Sequence, residues 1–440
     1  MNKKNIDTAT LHSIFLQCDQ KITTDTRKIV AGGIFFALKG DNFNGNSFAI
    51  EAVNAGAAYC VVDENINTND ERILYVDDVL KELQNLATFH RQHLNIPVIA
   101  ITGSNGKTTT KELFYAVLSQ KYNTLATKGN LNNHIGVPLT LLSIMPQHQM
   151  AIVEMGANHQ LEIEQLCKIA LPDYGMITNV GKAHLEGFGG FAGVIKGKTE
   201  MYTHIKNTGG VIFCNAKNEH LYPLIKDYEK LITYLGQSSA ITAEYYDEGV
   251  FLAVEWIKKG ESNHNHIRSH LTGAYNFENI AAAITIGDYF GVAAQKINDA
   301  IVNYIPDNQR SQVITMPGNI NIILDAYNAN PTSMYHAIMN FDKKFVTNKV
   351  ALLGDMYELG ADEDAEHLKI IELIAQLNIQ QTVLVGKRFA KHKNKLAAQY
   401  FDTIAEACAF LQTQHFANHN ILIKGSRSSQ MDKAVNAIVA

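Results

Sequence analysis

The chain has 440 residues, 46% of them apolar and 18% charged, with a formal net charge of −5. That is material for about three globular domains at roughly 150 residues each, and the mild acidity argues against a nucleic-acid or anionic-membrane partner, which would select a basic face. Five scattered cysteines (Cys18, Cys60, Cys167, Cys214 and Cys408) with no CxxC pair argue against a zinc site or disulfide framework.

The opening MNKKNIDTAT lacks the apolar centre of a signal peptide, and no uncharged apolar run approaches the roughly 18 residues of a membrane span. A cytoplasmic protein is expected. The first 80 or so residues read as a small α/β piece, with strands in GGIFFALKG, AAYCVVD and RILYVDD. From Pro97 the pattern becomes strand–loop–helix alternation. IPVIAIT is a short apolar strand, and KTTTKELFYAVLSQ has helical spacing at Leu113, Phe114, Val117 and Leu118. MAIVEM and YGMITNV read as further buried strands with the helix LEIEQLCKIA between them, the signature of a mostly parallel, covered sheet. AEYYDEGVFLAVEW (243–256) reads as a hairpin turning at Asp247–Gly249. NFENIAAAITIGDYFGV is a helix ended by Gly291, and after Ile305 the strands NIILDAY, KVALLGD, TVLVG and NILIKGS each precede a helical stretch.

The expectation is an α/β protein of three domains. A small N-terminal α/β domain spans 1–82, a central P-loop-type, mostly parallel sheet with helices spans 83–308, and a C-terminal Rossmann-like α/β domain spans 309–440.

AITGSNGKTTTKE (100–112) runs from strand to glycine-rich turn to helix. Backbone N–H groups converge in such a turn, and the helix N-terminus adds partial positive charge, so Gly103, Ser104, Asn105, Gly106, Lys107, Thr108 and Thr109 form a candidate phosphate site. Lys107 would reach the β/γ-phosphates of ATP, and the Thr108 hydroxyl suits Mg²⁺. The strict G-x-x-x-x-G-K-[ST] spacing is not met, because Ile101 stands where the first glycine would be. Glu154 ends a buried strand, where ligands of parallel sheets collect; it reads equally as a solvated strand-end carboxylate or an oxygen ligand for Mg²⁺. His184, in TNVGKAHLEGFGG, follows the next strand; on its own it reads as a structural histidine. Lys196 and Lys198 read, unaided, as surface lysines.

The variant T-G-x-N-G-K-T-T resembles the ATP loop of the Mur ligase and folylpolyglutamate synthase superfamily. The resemblance implies that the N-x-G-x-A-H-x-E segment supplies His184 to a second Mg²⁺. It also implies that Lys198 is carbamoylated by CO₂ to an N6-carboxylysine, although the family's K-G-E is Lys198-Thr199-Glu200 here. GAYNFENIAAA resembles the family's G-x-x-N-x-x-N-A helix start, placing Asn276 and Asn279 near the nucleotide; helix capping by Asn276 is the other reading. Arg310 in NQRSQV matches the arginine that reaches the ATP phosphates, for which a planar guanidinium is suited.

LDAYNANPTSM (324–334), with Asp325, Tyr327, Asn328, Asn330, Pro331 and Ser333, looks like the D-x-Y-N-A-N-P-x-S-M signature of the branch that adds D-alanyl-D-alanine. LGDMYELG and IKGSRSSQM match later segments of that branch, and the D-Y-A-H-T-P of the branch adding the third residue is absent. Asp25, Thr26 and Arg27 resemble the D-[ST]-R of the uridine-nucleotide domain, although the usual D-G-H-x-F is Asn44-Gly45-Asn46-Ser47-Phe48. Asn133 falls in a segment similar to the substrate-facing loop. The resemblance thus implies a ligase acting on two small-molecule substrates, UDP-MurNAc-tripeptide and D-Ala-D-Ala. It would use ATP and Mg²⁺ through an acyl phosphate, without nucleic acid or membrane insertion and as a monomer. Catalytic roles would fall to Lys107, His184 and Lys198. Rival readings are another amide ligase of the superfamily and a nucleotide-hydrolysing switch that needs no amine.

Overall fold

The computed structural model describes residues 5–439, so the first four residues of the MNKKNIDTAT reading lie outside the described residues. Three α/β layers are built on three principal sheets. The first is a four-stranded parallel sheet in the order Ile22–Thr23, Ile34–Phe36, Tyr59–Val62, Ile73–Tyr75. Helix Val79–His93 then carries the chain into the central layer. It begins on the Asp78 side chain, which accepts from the Lys81 N–H, and its buried face packs both ways: Leu83, Leu86 and Ala87 belong to one continuous core with Leu11, Phe15 and Ile34 on one side and Val98, Leu141 and Leu166 on the other. The position expected as a boundary, 82/83, lies within this helix.

The central sheet has nine strands. Ile241–Glu248, Leu231–Tyr234, Val211–Asn215, Tyr174–Ile177, Val98–Thr102, Met150–Glu154 and Thr124–Ala126 are parallel in that spatial order. Val98–Thr102 and Met150–Glu154 are buried at every residue, the mark of strands covered on both faces. Chain order reverses beside Val98–Thr102: the chain next enters the edge strand Thr124–Ala126, returns through Met150–Glu154, and crosses to Tyr174–Ile177 on the other flank. The crevice outside the carboxyl ends of these strands is where such sheets take ligands. On the far flank Ile241–Glu248 turns back antiparallel into Phe251–Lys258, the expected hairpin, and Asn265–Arg268 closes the edge. Helices Lys107–Leu118 and Tyr275–Tyr289 lie together over one face, and they approach closely where Gly287 has no side chain: a Cβ there would stand 2.5 Å from Val117 Cγ1.

The C-terminal sheet runs Gln312–Met316, Ile320–Asp325, Asn420–Lys424, Lys349–Gly354, Gln381–Val385, Gln399–Phe401, with only the first pair antiparallel. Helix Pro331–Lys344 follows its second strand. It is nucleated by a reciprocal cap: the Asn330 side chain accepts from the Ser333 N–H and Ser333 Oγ accepts from the Asn330 N–H. Lys344, at the far end of this helix, is buried against the central hairpin, donating to Asp247 at 2.6 Å and to the carbonyls of Gly249 and Phe251.

Candidate active site

Val98–Thr102 ends on Gly103 (φ +143°), and Gly106 (φ +79°) opens helix Lys107–Leu118. Both glycines are required. A Cβ on Gly103 would lie 2.0 Å from Thr178 Oγ1, and one on Gly106 would lie 2.8 Å from Asn279 Oδ1. The loop is tied to the neighbouring strand end: Thr178 Oγ1 donates to the Asn105 carbonyl at 2.6 Å, and Asn179 Oδ1 accepts from the Asn105 N–H at 2.9 Å. Lys107 curls over the loop and donates to the Gly103 carbonyl at 2.7 Å and that of Ser104 at 3.2 Å. Enclosure pushes its ammonium down to about 8; Glu154 opposes that shift and Arg310 adds to it.

Glu154, 1% exposed, takes the Asn132 amide on Oε1 at 2.7 Å. Its Oε2 is buried without a hydrogen-bond partner, 4.0 Å from the Nζ of Lys111. A buried carboxylate oxygen left free in a cavity of lysines and a threonine is a place for a hard cation. Among the described residues no group of three or more His, Cys, Asp and Glu could hold a metal by itself. A donor set of one hydroxyl and one carboxylate fits Mg²⁺ completed by phosphate oxygens and water.

Lys198 is not on the surface. It is 1% exposed, with Nζ donating to the Ala157 carbonyl at 3.1 Å and lying 5.0 Å from the centre of the Phe188 ring. Burial, and secondarily Lys107, hold its amine well below the usual lysine range. Lys196 is exposed, as a surface lysine should be. His184 takes a left-handed conformation (φ +52°), and its Nδ1 pairs with Glu358 of the C-terminal layer, itself left-handed at φ +63°.

The remaining candidates divide. Asn276 and Asn279 are buried at the cavity wall and bonded behind the loop: Asn279 accepts from Thr110 Oγ1 and donates to Asn276 Oδ1. Asn276 does not cap its helix, as Ala274 occupies that position; its amide donates back to the Thr272 carbonyl at 2.8 Å. Asn133 caps the turn into helix Gly136–Leu142 through the Ile135 and Gly136 N–H groups. Asp325 is paired with Lys424 at 2.5 Å. Arg310 lies on the Tyr327 ring, its Cζ 3.7 Å from the centre. Asp25 pairs with Arg27 in an exposed turn of the first layer, which pulls its carboxyl down to about 2. Asp25, Thr26 and Arg27 do not line the cavity.

That cavity, of about 800 Å³, is walled by Ser104–Thr109, Asn133, Glu154, His184, Asn276, Asn279, Arg310, Asp325, Tyr327, Asn328, Asn330 and Ser333. The central and C-terminal layers close it together. Asn330 Nδ2 donates to Asn105 Oδ1 of the phosphate loop at 2.8 Å, Thr332 Oγ1 accepts from the Lys182 N–H, and Lys182 pairs with Glu366 at 2.8 Å. Sequence reading missed Lys111, Asn132, Lys182 and Glu366. Lys111 could have been found, because it stands four residues after Lys107 on the same helix face.

Residues 101–287 match the Mur ligase middle domain, 309–427 the Mur ligase glutamate ligase domain, and 20–101 the Mur ligase family catalytic domain. The UDP-N-acetylmuramoyl-tripeptide–D-alanyl-D-alanine ligases of Bacillus subtilis and Escherichia coli are each 32% identical, covering 95% of this chain and 93% of their own. A crystal structure of MurF from Acinetobacter baumannii superposes with a TM-score of 0.85 at 31% identity, over 94% of this chain and 92% of that one. The fold is also that of a Thermotoga maritima MurF ligase solved in complex with ADP, at 24% identity, a TM-score of 0.84, and coverage of 96% and 97%. The chain belongs to the Mur ligase family, in the branch of the UDP-N-acetylmuramoyl-tripeptide–D-alanyl-D-alanine ligases.

Proposed function

We propose that this chain is an ATP-dependent, ADP-forming ligase of peptidoglycan precursor synthesis. It joins D-alanyl-D-alanine to the terminal carboxylate of UDP-MurNAc-tripeptide, giving UDP-MurNAc-pentapeptide, ADP and phosphate. The observation that supports this reading is the direct bond between Asn330 of the Y-N-A-N-P segment and Asn105 of the phosphate loop, two segments that line one cavity.

An ionised carboxylate is a poor electrophile, and its conversion to an acyl phosphate makes it reactive toward an amine. That step brings one anion to another. Lys107, the loop N–H groups and Arg310 supply fixed positive charge against the repulsion, the kind of stabilisation that dominates phosphoryl transfer. Thr108 and Glu154, with His184 on the same wall, would hold Mg²⁺, which neutralises phosphate charge when bound. The depressed pKa of Lys198 favours the neutral amine that CO₂ requires, and its carbamate would return a negative charge beside Lys107. The dipeptide's amine, with a pKa of about 7.7–8.0, needs only modest help to lose its proton. Closure of the C-terminal layer keeps water from the acyl phosphate. In this scheme residues 1–82 hold the uridine nucleotide through Asp25, Thr26 and Arg27, 83–308 hold ATP, and 309–440 receive the dipeptide through Tyr327, Asn328, Asn330 and Ser333. The enzyme works as a cytoplasmic monomer; among the described residues no helix is long and apolar enough to cross a membrane.

ADP release measured with Mg-ATP and UDP-MurNAc-tripeptide, with and without D-Ala-D-Ala, tests the reading. Release that needs both substrates and yields the pentapeptide is expected. Release without an acceptor, or stimulated by a different amine, overturns it.

A further inference from the structure

The chain has seven arginines. Arg27, Arg72, Arg91, Arg268 and Arg388 are each ion-paired to a carboxylate. Arg310 and Arg427 have no carboxylate partner among the described residues, and both lie over the same ring: the Cζ atoms are 3.7 and 5.1 Å from the centre of Tyr327. They arrive from separate places, Arg310 from the connector before strand Gln312–Met316 and Arg427 from the short turn after strand Asn420–Lys424. Arg310 Nε is also buried without a hydrogen-bond partner. The neighbouring cation, Lys424, is already neutralised by Asp325.

Two guanidiniums collected on one aromatic ring are oriented by it but not neutralised. Such a pair is a waiting anion site, with the planar donor fork that matches a carboxylate or phosphate. The two are not equivalent. Arg310 lines the cavity with the phosphate loop, whereas Arg427 is exposed and stands outside that lining. A dipeptide whose amine meets the acyl phosphate carries its carboxylate about 7 Å away, two extended residues at roughly 3.5 Å each. Tyr327 lines the cavity and carries Arg427 on its ring, so it links the phosphate end of the cavity to a guanidinium on the C-terminal layer.

We propose that Arg427 binds the C-terminal carboxylate of the incoming dipeptide, held in position by Tyr327, and so makes a free carboxylate a requirement of the acceptor. Arg310 is left to the phosphates. The proposal rests on the ligase reading above.

The test compares kcat/KM for ADP release with D-Ala-D-Ala and with D-alanyl-D-alaninamide, at saturating Mg-ATP and UDP-MurNAc-tripeptide, in the wild type, Arg427→Lys and Arg427→Gln. The wild type should prefer the free acid by about 10- to 100-fold, the range of a charge-assisted hydrogen bond. Arg427→Gln should lose that factor on the acid only, bringing the ratio close to one with KM for Mg-ATP unmoved, and Arg427→Lys should fall between. An unchanged ratio in Arg427→Gln, no preference in the wild type, or a KM for Mg-ATP that rises by the same factor overturns the assignment; the last result would give Arg427 to the phosphates. A wild type that makes no product from D-Ala-D-Ala overturns the ligase reading itself, a separate outcome.

Discussion

Asn330 does two things at once, and one substitution separates them. Its Oδ1 caps helix Pro331–Lys344 by accepting from the Ser333 N–H at 2.9 Å, while its Nδ2 reaches across to Asn105 at 2.8 Å. Serine is as good a cap as asparagine, but its hydroxyl is too short to reach Asn105 as well. Asn330→Ser therefore removes a single neutral, partly buried hydrogen bond between the layers, worth about 1 kcal/mol. If that bond forms only when the cavity closes on the nucleotide, kcat/KM for ATP falls about fivefold, since each 1.4 kcal/mol is tenfold. Asn330→Ala loses the bond and the cap together. It should show the same kinetic defect plus about 1 kcal/mol of lost stability, or about 4 °C in the unfolding midpoint of the C-terminal layer. Steady-state ADP release and scanning calorimetry on both variants make the comparison. A serine variant within twofold of wild type in kcat/KM, or one as heat-sensitive as the alanine variant, would refute the division of labour.

Lys107→Ala should abolish ADP formation while leaving the circular dichroism spectrum unchanged; normal turnover would remove the phosphate-loop assignment. Lys198→Ala should give a partial defect that short carboxylates such as acetate relieve, with wild-type activity falling in CO₂-depleted buffer; full activity of the variant excludes Lys198 from the site. Acid should loosen the first layer. His12, stacked on His93, edge-on to Phe89 and tilted against His90 between helices Thr8–Gln17 and Val79–His93, is pushed down to about 4 by burial and then by His90 and His93. The unfolded chain binds this proton more readily, so the contribution is complete above the unfolded value near 6.5 and is lost as pH falls from there towards 4. A His12→Phe variant should flatten the pH dependence of the unfolding midpoint in that window, and an unchanged slope would place the acid sensitivity elsewhere.

What could be read from sequence was what is contiguous in it. Leu113, Phe114, Val117 and Leu118 announce helix Lys107–Leu118 because helical spacing puts them on one face, and all four are fully buried. Strands such as Thr124–Ala126 and Leu231–Tyr234 are too short to show a period, and the first lies at the sheet edge, so neither stood out. The phosphate loop was legible for the same reason: its lysine, threonine and glycines are neighbours in the chain. The Asn105–Asn330 bond spans 225 positions, and nothing local marks either residue for the other. Lys198 shows the same limit from the other side. Its neighbours in sequence are those of a surface lysine; Phe188 and the Ala157 carbonyl, brought from elsewhere, bury it.

Helix Pro331–Lys344 is fastened to the central layer at both ends, by Asn330 at the phosphate loop and by Lys344 in the hairpin turn. Its 14 residues make a rod about 21 Å long at 1.5 Å per residue. Thr332, which accepts from the Lys182 N–H, and Asn340, which donates to Thr272, hold it between those ends, so the rod cannot slide; it can pivot at the Lys344 end only after the bonds of Asn330, Thr332 and Asn340 let go. The three bonds that Lys344 makes, all from one buried side chain, are the firmer pin. With the hairpin as fulcrum, a tilt of only 10° swings the Asn330 end by about 3.6 Å over that length. That is more than a hydrogen bond tolerates. The mouth of the cavity can therefore open by the width of a water molecule while the two layers stay hinged at the hairpin.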